Sequence, residues 1–384
     1  MVAAAALTTS ALSFFNEPVA TSLGVGRGTI SFYYSLMMIT GAIASPFIGK
    51  LSSKLGVRRI AFASAIVVAV GFFIFSISKS LWIFYVVGAA MGFFATSCVC
   101  LLAAIIVQSS YPASRAAGLL GIVMTGSGIC GTILSLFLPN LIAEKGWETG
   151  YRLLAVLWLI LMLLGTFIMG KPQKAEKEAG GSAAPVEGVM MSEAMKKPRI
   201  YVVFIINIII GLLCGLLIQL PALFAGLGYS VAQVGLMMSL YTAGNAVTKI
   251  LQGLFYGKVG PKKGGLVVFV LFAIGFLCFT SKPLAVAGVL LFALGLGTPT
   301  TLLPVATRKV FGSKDYGAIW GFIAMGASIG QFIGSPVFGY VYDATQSYYP
   351  ALIASPVIMV FVIIAYMYFI KGEPATEAAA KTEA

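Results

Sequence analysis

The stretch YVVFIINIIIGLLCGLLIQLPALFAGLGYSVAQVGLMMSLYTAGNAVT, from Tyr201 to Thr248, contains no Asp, Glu, Lys or Arg. A helix that crosses the hydrocarbon of a bilayer needs roughly 20 apolar residues, so this stretch is long enough for two. Working outward, the same freedom from charge recurs from Ser80 to Ser114, Pro283 to Thr307, Tyr316 to Tyr342 and Ala344 to Ile370. Irregular backbone facing lipid would leave its polar groups unpaired, which leaves helices or a closed barrel. A barrel would show short alternating segments instead of these long runs. The whole chain is 59% hydrophobic and 10% charged, against about 25% charged in a soluble domain. The fold class is therefore an all-α membrane protein.

Apolar runs read against Gly, Pro and charge punctuation predict twelve segments, near 2–18, 29–49, 58–78, 82–108, 115–141, 149–170, 201–224, 232–256, 264–281, 284–307, 316–340 and 348–370. The first is short, and a missing N-terminal piece or a late start is expected there; a signal peptide is the alternative, without a basic n-region to support it. The polar stretch 171–199 reads as a surface linker between an N-terminal bundle, 1–170, and a C-terminal bundle, 200–371; residues 372–384 read as a disordered tail.

The net charge of +13 would suggest nucleic acid in a soluble protein. Here the cations cluster between apolar runs. With both termini placed in the cytoplasm, nineteen basic residues fall on the inner side and five on the outer, with Lys249 left inside a span. The positive-inside rule thus predicts a multi-pass protein of the cytoplasmic membrane with both ends inside. The five cysteines all lie in apolar runs without metal spacing, and histidine is absent. No metal site, cofactor or nucleic-acid partner is expected, and any proton chemistry would need carboxylates.

The two halves repeat. Gly49, Gly56, Arg58 and Arg59 match Gly253, Gly260, Lys262 and Lys263 at an offset of 204; Leu23-Gly24 and Ser35-Leu36 match Leu227-Gly228 and Ser239-Leu240 at the same offset, and Gly121 and Gly126 match Gly321 and Gly326 at 200. Such a parallel repeat of six-span halves belongs to major facilitator architecture. The Gly49–Arg59 stretch resembles that family's loop signature between spans 2 and 3. The resemblance implies that Gly49, Gly56, Arg58 and Arg59, with Gly253 and Gly260, brace helices as the carrier changes conformation. The usual acid of the signature is Ser53 here and Gly257 in the second copy.

Finer resemblance points to the oxalate:formate antiporter and monocarboxylate transporter branch. It rests on Ser13 to Val19 running into Leu23-Gly24-Val25, on Arg115 with the span-5 glycines, on Lys249 to Gly253, and on Gly297 to Pro304 with Phe311-Gly312. It implies a gating role for Arg115 and an anion-binding role for Lys249. Departures bear on the substrate: Ile323 stands where oxalate carriers have lysine, and Leu296 and Thr300 stand where they have aromatics.

An ionisable group inside a span must face a cavity or a partner, so Lys249 is either the substrate's countercharge or a residue that snorkels to the surface. Asn245, Tyr241, Thr300 and Thr301 are candidate substrate contacts, the two threonines because Thr298, Pro299 and Pro304 interrupt span 10. Each also admits a helix-packing or interface role. Glu17 is the candidate for ion coupling, or else a solvated residue at a helix end. The expectation is a monomeric carrier of a small organic anion, a monocarboxylate, with a coupling ion or exchanged anion and membrane lipid as its other partners. The alternatives are a carrier of a non-carboxylate solute and a non-transporting receptor or scaffold. A membrane enzyme would need clustered catalytic groups, which the sequence lacks.

Overall fold

The computed structural model describes residues 1–110, 113–168, 188–312 and 314–371; within its helices the side chains at 45–46, 49–50, 52–53, 96–110, 113–122, 124, 250, 253–254 and 257 lie outside the description. Two 3-10 helices, Val2–Thr8 and Ser10–Phe15, lead into α1, Asn16–Leu23. Then follow α2 Arg27–Leu55, α3 Val57–Ile77, α4 Leu81–Ser110, α5 Ala113–Ile168 and the short α6 Met191–Ala194. Next come α7 Pro198–Cys214, a 3-10 segment Gly215–Gln219, α8 Leu220–Gly226 and α9 Val231–Cys278. The chain ends in α10 Ala285–Gly297, α11 Leu302–Phe311, α12 Tyr316–Thr345 and α13 Tyr349–Ile370.

Two of these helices are pairs. α5 breaks at Gly146 (φ 81°) and α9 at Gly260 (φ 79°), conformations that side chains other than glycine resist. Divided there, with the interrupted stretches 2–23, 198–226 and 282–311 each taken whole, the described residues give twelve membrane-length segments. Seven stretches meet length and hydropathy requirements for a span outright, among them 125–168, which is long enough for two.

The repeat read in the sequence is reproduced in the backbone. Gly56 and Gly260 both have positive φ (85° and 79°), as do Gly24 and Gly228 (63° and 80°), each pair 204 residues apart. The switch from 3-10 to α-helix falls after Phe15 and again after Gln219, the same offset. Equivalent irregularities at equivalent places are what duplicated six-span halves produce.

By contact the chain forms two units. The first comprises 1–176 with 215–246 and 335–348; the second comprises 177–214, 247–334 and 349–384. Within the first, α2, α3, α4 and α5 enclose an aromatic core. Phe75 stacks on Phe84 with ring centroids 4.6 Å apart, Phe15 on Tyr151 at 4.0 Å, and Phe72 packs edge-on to Trp158. Trp158 Nε1 donates to the Ser64 carbonyl at 3.2 Å, so the indole is buried with its polar atom satisfied. Within the second unit, Phe272, Phe276, Phe279 and Phe292 form the corresponding cluster, and Tyr366 Oη donates to the Pro261 carbonyl at 2.7 Å.

In that second unit, α12 lies so close to α7 that a Cβ at Gly326, Gly330 or Gly334 would meet the backbone carbonyls of Phe204, Ile208 and Leu212 in turn. This is the small-residue packing that substitutes for a hydrophobic drive between helices in lipid. Asn207 Nδ2 donates to the Ile323 carbonyl at 2.8 Å across the same contact. Of the stretch read as a linker, 171–187 lies outside the described residues, but 188–199 is docked: Val189 N donates to Phe311 O at 3.0 Å and Met191 N to Asp315 Oδ2 at 2.9 Å. Residues 372–384 also lie outside the description.

Candidate functional site

α9 carries the candidate cation. At 3.6 residues per turn, Lys249 projects from the side of the helix opposite Val247 and Leu251. Those two apolar side chains are 54% and 55% exposed, as befits a lipid face. Lys249 is exposed too, but on the face it shares with buried Tyr241, Thr242 and Gln252 and half-buried Asn245. That face is polar over three turns, so the lysine sits on the non-lipid side of its helix.

Gln252 ties this face to the break in span 10. Its Nε2 donates to Leu294 O at 2.7 Å, and its Oε1 accepts from Thr301 Oγ1. Thr301 also reaches Gly297 O at 2.8 Å and Thr300 reaches the same carbonyl at 3.0 Å. The same carbonyl also accepts from the backbone N–H groups of Thr300 and Thr301, at 3.1 and 2.9 Å, so both residues close the interruption between α10 and α11 onto Gly297. Thr300 is exposed while Thr298 is buried. Gly49, Arg115 and Gly253 fall on positions whose surroundings lie outside the described residues. Gly56 and Gly260 are the positive-φ turns between spans described above, and Arg58 and Arg59 follow Gly56 as exposed side chains in the first turn of α3.

A second polar constellation lies in the first unit, and sequence reading missed most of it. Asn16, Ser31 and Gln219 are each 1% exposed or less. Asn16 Nδ2 donates to Gln219 Oε1 at 3.0 Å, Gln219 Nε2 to Ser31 Oγ at 2.8 Å, and Ser31 Oγ to Asn16 Oδ1 at 3.0 Å, closing a ring. Tyr348 Oη joins by donating to Gln219 Oε1 at 3.1 Å and accepts from Arg27 Nη1 at 3.2 Å.

Arg27 is paired with Glu17, and its guanidinium carbon lies 3.9 Å from the centroid of the Tyr342 ring. Glu17, the sequence's candidate for ion coupling, is therefore ion-paired from the first turn of α1 while its carboxylate stays partly exposed. Asp343, at the end of α12, caps the N-terminus of α2: its two oxygens accept from Arg27 N and Gly28 N, both at 2.9 Å. The positive end of a helix is a natural seat for a carboxylate. The sequence signal existed in part, since Asn16-Glu17-Pro18 and Asp343 interrupt apolar runs. What joins them is tertiary. A cavity of about 320 Å³ adjoins this cluster, bordered by Phe14, Glu17, Pro139, Trp147, Pro221 and Tyr229. Among the described residues no group of His, Cys, Asp or Glu is placed to hold a metal ion.

Twelve apolar segments, a duplicated backbone and interrupted helices bearing polar groups define the class of multi-pass solute carriers. The profile of the Major Facilitator Superfamily matches residues 1–223 and 203–384, and the chain belongs to that family. The chain is 25% identical to an MFS-type transporter of Gibberella moniliformis, over 90% of its length and 84% of the relative's. It is 24% identical to the multidrug resistance protein MdtG of Enterobacter lignolyticus, over 88% and 83%. To monocarboxylate transporter 13 of Rattus norvegicus it is 23% identical, over 83% and 74%. Among solved structures, that of the nucleoside transporter NupG superposes with a TM-score of 0.76 at 16% identity, covering 97% of both chains. The protein is a membrane transporter, not an enzyme.

Proposed function

We propose that the protein carries a small monocarboxylate across the cytoplasmic membrane by alternating access, with Lys249 as the countercharge of the substrate. The observation that supports this reading most is the placement of Lys249 on the polar, non-lipid face of α9, beside Asn245 and one turn from Gln252. A carboxylate removed from water needs a cation, and a lysine on the non-lipid face of a span can supply it. Asn245, Tyr241, Thr300 and Thr301 then orient the bound carboxylate as neutral hydrogen-bond donors. Both termini face the cytoplasm, in keeping with the distribution of cations. The kinship with a monocarboxylate transporter agrees with this reading, while the kinship with a multidrug resistance protein keeps a non-carboxylate solute as the second.

The test is uptake into proteoliposomes. Radiolabelled lactate or pyruvate is expected to enter in a protein-dependent way, and unlabelled monocarboxylates to compete better than oxalate or malonate. Stronger competition by the dianions, or transport untouched in Lys249→Gln, overturns the assignment.

A further inference from the structure

We propose that the protein binds an anionic phospholipid in a pocket of the first unit, at the junction of α2 and α3. The pocket has a volume of about 750 Å³ and is lined by Lys54, Leu55, Arg58, Arg59, Phe62 and Phe167 among others. Among the described residues its charge is of one sign: three cations and no acid line it. The one ion pair found among the described residues, Arg27 with Glu17, involves none of them. Arg58 and Arg59 sit in the first turn of α3, where the helix dipole is itself positive and no side chain caps the end. Two cations at that end repel the dipole as well as each other, and an anion in the pocket relieves both.

The other wall of the pocket selects the kind of anion. Phe62 is 49% exposed and Phe167 70% exposed, with Leu55 beside them at 47%. The Arg58 guanidinium lies 5.8 Å from the Phe167 ring centroid, linking the charged rim to the aromatic wall. The neutral hydroxyl in the lining, Thr166, is turned onto its own helix, donating to Leu163 O at 2.7 Å. A small hydrated anion gains nothing from such a wall. An amphiphile gains twice, placing its phosphate on the cations and its acyl chain along Phe62 and Phe167. The chain's own 171–187 stretch, which follows α5, has as many acids as bases and offers no such charge complement. The inference does not depend on which solute is carried.

The test is native mass spectrometry of the full-length protein released from nanodiscs of phosphatidylethanolamine with phosphatidylglycerol, together with thermal unfolding in the same discs. Wild type is expected to retain phosphatidylglycerol and to unfold at higher temperature than in phosphatidylethanolamine alone. The triple variant Lys54→Gln, Arg58→Gln, Arg59→Gln should lose roughly ten- to a hundredfold in lipid affinity at low salt. Its midpoint in phosphatidylethanolamine discs reports whether it still folds, and Arg58→Lys with Arg59→Lys should keep most of the binding. Equal retention of phosphatidylethanolamine, or the same stabilisation by millimolar inorganic phosphate, overturns the proposal. So does a rise in phosphatidylglycerol retention when Glu176, Glu178 and Glu187 are changed to Gln, which would make the linker the resident occupant.

Discussion

At the scale of single residues, the charged groups divide by what answers them. Asp343 is answered by two backbone N–H groups at the start of α2, and Arg27 by Glu17, Tyr348 and the face of Tyr342. Removing the carboxylate strands those donors, an effect of about 0.5–2 kcal/mol for a helix cap. Asp343→Ala should therefore lower stability by about that much. It should also raise the labelling rate of a cysteine placed at Phe14, in a background without the native cysteines, because Phe14 borders the adjoining cavity. An unchanged labelling rate would show that the cluster is structural and does not gate access. For Lys249 the expectation is sharper. Lys249→Gln should abolish most substrate-induced thermal stabilisation with the unliganded midpoint nearly unmoved, while Lys249→Arg should keep part of it, since charge survives but the shape changes. A large fall in the unliganded midpoint of Lys249→Gln would make the lysine a packing element.

At the scale of elements, the helices are held by close approach and by interruption. Gly330 faces Ile208 O and Leu212 N of α7, with no room for a side chain. Gly330→Val should push the two helices apart and destabilise by about 1–3 kcal/mol, the usual range for overpacking. Gly317→Val, in the same helix and with open space around the glycine, serves as the control. A thermal scan showing equal shifts would refute the close-packing account. Gly56 and Gly260 carry the same positive φ with nothing within 4 Å of a built Cβ, so their requirement for glycine is conformational and not steric. Alanine at either should be destabilising by about 1–3 kcal/mol, and by similar amounts because the repeat gives both the same backbone. Very unequal shifts would mean that the two turns are not equivalent.

At the scale of the whole molecule, the contact-defined units do not coincide with the halves of the sequence repeat. The first unit takes 215–246 and 335–348 from the second half, and the bonds that hold them include Asn16 with Gln219 and Arg27 with Asp343. Under the alternating access proposed above, these bonds are expected to be exchanged for water or substrate when the carrier changes state. The prediction at this scale concerns charge matching. If Lys249 is the substrate's single countercharge, as proposed, a monocarboxylate is neutralised and a dicarboxylate is left with an unpaired charge. Competition against labelled lactate should therefore rank acetate and pyruvate above oxalate and malonate, and the reverse order would sink the single-cation account.

The sequence alone determined the membrane class, the number of segments and the duplication, because apolar length, charge-free runs and glycine spacing are local properties of the chain. The break in span 10 was legible for the same reason: Pro299 and the threonines around it alter the backbone where they stand. Lys249 was conspicuous as a cation within an apolar run, though its side of the helix emerged only from the exposure of Val247 and Leu251 opposite it. The tertiary structure decided the rest. Glu17 looked like an isolated acid until Arg27 was found against it. The ring of Asn16, Ser31 and Gln219 joins residues as far as 203 positions apart. No periodicity encodes such a meeting, because a buried amide in a span satisfies its hydrogen bonds with whichever helix the fold brings alongside. The docking of 188–199 was hidden in the same way: its polar composition reads as free chain, and only the carbonyl of Phe311 and the carboxylate of Asp315 give its backbone N–H groups a partner.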